Sequence, residues 1–323
     1  MRSPIIERST KYLYDEEAVI TVGDGVGTGK VFHYVNGKYD LHQRCYRMYG
    51  FSDELNAHYF YHTFSKLFYK RVMAMTAKTS VDSVRLEMIS DMKIPVPNVE
   101  EQRKIGNLLD GIDNLITLHQ RKCDETKRLK KYLLQKMFPQ NGEKVPEIRF
   151  SGFTDDWEQR KLGDVAQEFK SGTSLKADEI DITGDYPVYG GNGLRGYTST
   201  YNHDGEYALI GRQGALCGNM NYSVGKAYFT EHAVVVKADE NNDTMFLYYM
   251  LDTMNLGQYS DQSAQPGLAV NKLVKLENWF PTKEEQQRIG WYFSNIDHLI
   301  TLHQRELDNF QNIKRFMLGK MFV

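Results

Sequence analysis

An internal repeat restricts the fold of this chain more than any other feature of its sequence. Residues 100–138 and 284–322 align without a gap at a constant offset of 184, and 20 of the 39 aligned positions are identical. The run LITLHQR at Leu115–Arg121 returns unchanged at Leu299–Arg305. Unrelated helices do not share this much sequence, so the chain contains a duplicated segment. We therefore expect the same structural unit to occur twice in the fold.

Both copies of the repeat have the pattern of a long helix. Pro97 and Pro281 precede them, and acidic residues follow at the positions of a first helical turn. Apolar residues then recur at spacings of three and four, and neither copy contains an interior proline. A seam this narrow is typical of a coiled coil, so we predict long helices at 98–138 and 282–323 that pack against each other.

The segments before the helices match more loosely. Ala18 and Ile20 lie 190 positions before Ala208 and Ile210. Both segments carry β-branched and aromatic runs cut by glycine, which indicate short strands with tight turns, and helical stretches follow. The predicted fold class is therefore α+β, with two α/β globular domains separated by two long repeated helices that form an antiparallel coiled coil.

The duplication also predicts the domain boundaries. A first globular domain occupies 1–97, the first helix 98–138, a linker 139–149, a second globular domain 150–281 and the second helix 282–323. Residues 153–190 have no counterpart in the first half. We therefore expect the first domain to be incomplete at its amino terminus, with an open sheet edge that promotes self-association.

Composition excludes several classes of protein. Lys and Arg number 40 against 42 for Asp and Glu, so the net charge is −2 and any DNA contact must come from local basic patches. The three cysteines are far apart, which favours neither a disulfide framework nor a zinc cluster. No apolar stretch has the length of a membrane span or a signal peptide. We expect a cytoplasmic protein.

Three motifs suggest catalysis, and none is complete. The loop Gly23–Lys30 resembles a phosphate loop, but Asp24 replaces a required glycine and Val31 the required Ser or Thr, so a turn between strands is favoured. His58 and His62 have the spacing of a zinc pair without an accompanying glutamate, and we predict a partly exposed helix face there. The sequence predicts neither a catalytic site nor a metal site of the chain's own.

Asp113 and Glu125 loosely resemble a nuclease pattern, but a helix would hold them about 18 Å apart, too far to share a metal ion. His119 and His303 repeat identically, and we expect polar residues on the helix seam that set its register.

Basic and amide side chains beside glycine turns are the candidates for a DNA contact. Arginine can bind guanine and glutamine can bind adenine in the major groove, whereas ordinary surface charge explains the same residues equally well. The candidates are Lys30, His33 and Lys38 in the first domain and Arg195, Arg212, Gln213 and Lys226 in the second.

The whole arrangement resembles the specificity subunit of type I restriction–modification enzymes. The resemblance is carried by the helix starts at 97–102 and 281–286, by Lys-Met-Phe at 136–138 and 320–322, and by Ile148–Phe153 with Trp157. It implies that each globular domain reads one half of a split double-stranded DNA target. It also implies that the paired helices set the spacing and bind methylase subunits, two in number, while restriction subunits complete the complex.

The resemblance further implies a subunit without chemistry of its own. S-adenosylmethionine would bind the methylase, and ATP and Mg²⁺ would bind the motor subunit. The residues expected on the spacer and partner-binding helices are Ile112, Ile116, His119, Arg121, Ile296, Ile300, His303 and Arg305. Because the first domain is short, we expect it not to read DNA by itself. Two alternatives stay open, a coiled-coil scaffold with β-rich ligand-binding modules and a nucleotide-dependent enzyme that uses the Gly23–Lys30 loop.

Overall fold

The computed structural model describes residues 11–25, 27–76, 83–140, 142–214, 216–260 and 267–322. The chain divides into two compact units. Unit 1 contains residues 1–121 and 303–323, and unit 2 contains residues 122–302. Each unit therefore includes one globular segment together with a part of both long helices.

Unit 1 is built on a small antiparallel sheet. Its strands are β1 (Tyr14–Val22), β2 (Phe32–Tyr39) and β3 (Cys45–Tyr49), in the order β2-β1-β3. Helix α1 (Ala57–Met75) follows, and a short helix α2 (Leu86–Ser90) comes next. The aromatic stripe of α1 forms a core with the sheet and α2, and this core includes Val19, Phe64, Phe68, Val72 and Met88.

Unit 2 has a larger sheet. Its strands are β4 (Glu158–Lys161), β5 (Ala166–Ser171), β6 (Tyr186–Gly190), β7 (Gly193–Thr198), β8 (His203–Gly211), β9 (Met220–Phe229), β10 (Ala233–Ala238) and β11 (Glu277–Phe280). Six of them pair in the order β5-β10-β8-β9-β6-β7, with only the β6–β9 contact parallel, and β4 pairs with β11. Helices α4 (Thr244–Thr253) and α5 (Val270–Leu273) complete the globular part, and the long helices are α3 (Val99–Lys136) and α6 (Lys283–Met321).

The hydrogen bonds of the two sheets fix the register of the duplication. Gly23 N donates to Arg44 O over 2.8 Å, and Arg212 N donates to His232 O over 2.9 Å in the equivalent turn. Gly23 therefore corresponds to Arg212, an offset of 189. The offset of 190 expected from the matched alanines and isoleucines is wrong by one residue. In a strand such a slip moves every side chain to the opposite face, because side chains alternate.

The equivalent strands β3 and β10 differ in burial. In unit 2, β10 lies between β5 and β8, and Ala233–Val236 are buried. In unit 1, β3 pairs only with β1 within the described residues, and Tyr49 is 55% exposed. Within the described residues of unit 1, β3 is therefore an edge strand.

The long helices pair antiparallel within each unit. In unit 1, Lys314 Nζ donates to Asp113 Oδ2 over 2.7 Å. In unit 2, Lys130 Nζ lies 2.7 Å from Asp297 Oδ1. The two aspartates are 184 residues apart, and so are the two lysines. The same repeat positions therefore form the cross-helix ion pair in both units. In the part of the chain that the structure describes, no helix is both long and apolar enough to span a membrane.

The repeated glutamine at each helix start joins the long helix to the globular part of its unit. In unit 1, Gln102 Nε2 donates to Pro97 O (2.7 Å) and Glu54 O (2.9 Å), while its Oε1 accepts from Asn56 N (2.8 Å). Asn56 is the N-cap of α1. A buried backbone N–H without a partner is costly, so this glutamine fixes where α1 begins.

Unit 2 repeats the arrangement. Gln286 Nε2 donates to Pro281 O and to Asn242 Oδ1, each over 2.9 Å, and its Oε1 accepts from Asp243 N over 3.0 Å. Asp243 is the N-cap of α4. The Pro-EEQ pattern of the sequence is therefore the device that positions the globular helix against the long one in both units.

Candidate nucleic-acid interface

A cleft of about 260 Å³ in unit 2 brings two of the predicted DNA-binding residues together. Its walls are Gly191, Asn192, Arg195, Gln213 and His232. Arg195 comes from β7 and is exposed, and Gln213 comes from the turn between β8 and β9. His232 Nδ1 donates to Gln213 Oε1 over 3.0 Å, which leaves the amide N–H₂ of Gln213 as a donor.

The chain approaches itself closely behind this cleft. A Cβ at Gly191 would lie 3.0 Å from His232 O, and a Cβ at Gly211 would lie 2.3 Å from Gly191 O. Only glycine fits such a backbone contact. The β6–β7 hairpin can therefore place Arg195 beside the β8–β9 turn.

Arg212 has a different position from its neighbour Gln213. Its Nε donates to Leu268 O over 3.4 Å, and its Nη1 donates to Glu231 O over 3.3 Å. The side chain is half-buried. Two of its donors thus bind backbone carbonyls of the same unit, and Arg212 supports the turn beside the cleft.

Lys226 lies away from this cleft. It is six residues from Met220, the first residue of β9, which is roughly 20 Å along a strand. Its ammonium lies 4.6 Å from the centre of the Tyr201 ring, and Tyr201 raises the pKa of Lys226. In unit 1, Lys38 stands over Tyr12 at the same distance of 4.6 Å. Lys38 and Lys226 therefore make the same contact with a tyrosine ring in the two units.

The remaining candidates of unit 1 are spread over the β1–β2 hairpin. Lys30 lies 4.7 Å from the centre of the Tyr69 ring, and His33 is exposed on β2. His33 and Lys38 are five residues apart on β2, roughly 17 Å along the strand, which is too far for both to line one small pocket.

The glycine-rich loop of unit 1 is a turn between strands, as predicted. Lys30 N donates to Gly27 O over 2.9 Å, and Thr28 N donates to Gly25 O over 3.2 Å. A phosphate loop needs such N–H groups to point at the ligand, whereas these bind the loop itself. Val26 lies outside the described residues. The geometry of the loop does not favour a nucleotide site.

His62 corrects a sequence prediction. It is 1% exposed, not part of an exposed helix face, and its Nε2 lies 2.8 Å from Asp110 Oδ1. His58 Nδ1 also pairs with Asp110. Burial lowers the pKa of His62. The spacing of four had a structural cause, because both histidines contact one carboxylate of α3. Within the described residues no group of three or more metal-ligating side chains occurs.

The predicted spacer residues divide into buried and exposed positions. Ile112 and Ile296 are 7% and 6% exposed and lie in the seam, with Ile116 and Ile300 partly buried beside them. The rings of His119 and His303 lie 5.6 Å apart, and Arg121 and Arg305 are exposed. The two histidines therefore meet across the helix pair, and their role in setting the register stays a prediction.

Sequence reasoning missed the exposed apolar residues of the long helices. Four repeat positions are 38% to 62% exposed in both copies. We name the unit 1 patch (Leu115, Leu118, Ile313 and Phe316) and the unit 2 patch (Leu129, Tyr132, Leu299 and Leu302). The sequence contains a signal for them, because these positions are apolar in both copies of the repeat but do not belong to the seam pattern.

Comparison with known proteins gives consistent results. A family model described as "Type I restriction modification DNA specificity domain" matches residues 3–128 and 154–311. The chain is 43% identical over 145 residues to the Type I restriction enzyme EcoprrI specificity subunit of Escherichia coli. This alignment covers 44% of this chain and 36% of that protein. It is 21% identical over 342 residues to the MjaVIII specificity subunit of Methanocaldococcus jannaschii, and this alignment covers 96% of this chain and 79% of that protein.

A solved structure supports the fold. The crystal structure of the type I restriction-modification system S subunit from M. genitalium superposes with a TM-score of 0.79 at 18% identity, covering 98% of this chain and 86% of that one. The part of the chain that aligns with the E. coli relative thus spans about a third of that protein. The fold matches that of the M. genitalium S subunit over nearly the whole chain. Together with the duplicated helices and sheets, these findings show that the chain belongs to the family of type I restriction–modification DNA specificity subunits.

Proposed function

We propose that the cleft formed by Arg195, Gln213 and His232 reads bases in one half of a split DNA target. The observation that carries this proposal is the convergence of Arg195 and Gln213, from separate parts of the chain, on one open cleft. Both present N–H donors, which match the acceptors O6 and N7 of guanine in the major groove. Sequence is read through such contacts to base edges.

Lys38 and Lys226 are suited to a different task. They hold equivalent places in the two units, each over a tyrosine ring. A contact that both halves share cannot distinguish the two half-targets, but it can bind the phosphates that every sequence offers. We assign these lysines to the DNA backbone. With a net charge of −2, the chain needs such local contacts.

The chain would act together with partners that perform the chemistry. The paired helices would dock two methylase subunits, with restriction subunits joining the full complex. S-adenosylmethionine, ATP and Mg²⁺ would be bound by those partners. The repeated exposed patches support two docking sites for one kind of partner, because a duplicated surface fits the same partner twice.

The proposal is tested by comparing Arg195→Ala with Lys226→Ala in the complex with the methylase. Binding to a randomised duplex library is measured at several salt concentrations. Arg195→Ala should relax the preference at one position, by about 1–3 kcal/mol of discrimination. Lys226→Ala should weaken all sequences alike and reduce the salt slope by about one. An Arg195→Ala complex with unchanged sequence preference would remove this cleft from the interface.

A further inference from the structure

The turns of the two units share one backbone framework. Val84 N donates to Gly23 O over 2.7 Å, and Leu268 N donates to Arg212 O over 2.9 Å. These bonds come in addition to those that the N–H groups of Gly23 and Arg212 donate to Arg44 O and His232 O. The residue that follows each of them is therefore held in the same place by backbone contacts alone, whatever its side chain.

The side chains at this shared place differ. In unit 1, Asp24 Oδ2 lies 3.7 Å from Arg44 Nη1. In unit 2, the equivalent residues are Gln213 and His232, and they are joined by a hydrogen bond of 3.0 Å. Each unit therefore has a two-residue polar pair at this position, an ion pair in one and an amide–imidazole pair in the other. The side chains of Arg44 and Asp24 are 62% and 50% exposed, and that of His232 is 41% exposed.

Two kinds of polar contact elsewhere on the two sheets recur in both units. Tyr34 donates its hydroxyl to Glu17 over 2.6 Å, and Tyr222 donates to Glu206 over 2.9 Å. Lys38 and Lys226 stand over tyrosine rings in both units. The side chains of the exposed pair differ between the units, whereas the backbone hydrogen bonds that hold them are the same. That is the pattern expected of a position that distinguishes two half-targets.

We propose that Asp24 with Arg44 in unit 1 and Gln213 with His232 in unit 2 are the specificity-determining pairs of the two half-targets. This inference rests on the proposed function, since it names the residues that give the DNA reader its choice of base. It also assigns unit 1 a reading role of its own, contrary to the sequence expectation for the short first domain.

The side-chain chemistry indicates which base pair each pair reads. The Asp24 carboxylate accepts from cytosine N4, and the Arg44 guanidinium donates to guanine O6 and N7, so together they fit one G·C pair. In unit 2, Gln213 Oε1 is occupied by His232, and the outward groups are the Gln213 amide N–H₂ and the Arg195 guanidinium. Both are donors, which fit guanine.

The experiment exchanges the pairs one unit at a time. One variant carries Asp24→Gln with Arg44→His, and the other carries Gln213→Asp with His232→Arg. Each is expressed with the methylase, and methylated adenines are mapped by single-molecule sequencing. Each exchange should change the preferred base at one position of one half-target by about tenfold or more and leave the other half-target unchanged. Gln43→Ala, an exposed neighbour of Arg44, serves as the control and should keep the wild-type motif.

The outcomes separate this inference from the proposed function. A wild-type complex that methylates no defined sequence would refute both. A defined wild-type motif that stays unchanged in both exchange variants would refute the pairs, and Arg195→Ala then tests the cleft separately. If an exchange abolishes methylation, its complex is tested for binding to duplexes altered at each G·C position. A shifted preference then supports the pairs, and an equal loss on every duplex overturns them.

Discussion

At the residue scale, Gly106 and Gly290 occupy places where a long helix passes the first turn of a globular helix. A Cβ at Gly106 would lie 3.1 Å from both Asn56 Oδ1 and Tyr59 N. A Cβ at Gly290 would lie 3.1 Å from Asp243 Oδ1. Contacts this short press on a helix N-cap and on backbone, which cannot move aside as a flexible side chain can. Glycine at these repeat positions therefore lets the two helices approach closely without displacing the cap.

Gly106→Ala should lower the stability of unit 1, because the added methyl group must displace the cap of α1. Overpacking of this kind costs about 1–3 kcal/mol. Gly111→Ala in the same helix is the matched control, since nothing lies within 4 Å of its Cβ, and it should stabilise by up to about 1 kcal/mol. Urea unfolding followed by circular dichroism gives both values. Equal changes in unfolding free energy for Gly106→Ala and Gly111→Ala would contradict the close approach of the long helix to the start of α1.

At the element scale, an ion pair links the two antiparallel helices in each unit. The two ion pairs have the same sequence origin but different surroundings. Asp297 also accepts a hydrogen bond from the Tyr249 hydroxyl over 2.8 Å, and burial together with this bond raises the pKa of Tyr249. In unit 1, Asp113 has Lys314 as its hydrogen-bonding partner.

Charge reversal should therefore give different results in the two units. Asp113→Lys alone places two lysines together and should cost about 1–3 kcal/mol of unfolding free energy, and adding Lys314→Asp should recover most of it. The exchange of Asp297 with Lys130 should recover less, because a lysine at 297 cannot accept from Tyr249. Thermal unfolding of the four single and two double variants measures the recovery. Full recovery in unit 2 would show that the tyrosine bond contributes nothing.

At the scale of the whole molecule, the duplication places an equivalent exposed apolar patch on the helices of each unit. Leu118 belongs to the unit 1 patch and is 43% exposed, and Leu302 is its repeat in the unit 2 patch and is 39% exposed. Exposed apolar residues that recur at fixed repeat positions indicate a binding surface, since isolated ones would not repeat. Two such patches fit two copies of one partner.

We expect Leu118→Glu to remove one of the two proposed methylase docking sites, and Leu118→Glu with Leu302→Glu to remove both. A buried, unpaired carboxylate in an apolar contact costs several kcal/mol. Leu108→Glu is the control, because Leu108 is also 43% exposed but its repeat position is Tyr292. The mass of the purified complex gives the stoichiometry. Two bound methylases in the double variant would place docking elsewhere.

The sequence by itself determined the features that depend on local periodicity and on duplication. The spacing of apolar residues predicted two long helices and their seam, and glycine-cut β-branched runs predicted strands, because both patterns act over a few neighbouring residues. The resemblance at the helix starts predicted the family. Pro97 and Gln102 marked the start of the first long helix, although only the structure showed that Gln102 also binds the backbone at the start of α1.

Tertiary structure alone decided which distant side chains meet. His62 looked exposed by its spacing, but it is buried against Asp110 of another helix. Arg195 and Gln213 share a cleft, whereas Lys226 lies elsewhere on the same sheet. The register of the two sheets also differed by one residue from the match of similar side chains. Strand pairing is set by hydrogen bonds between residues far apart in sequence, and a short pattern of period two fits neighbouring registers almost equally well.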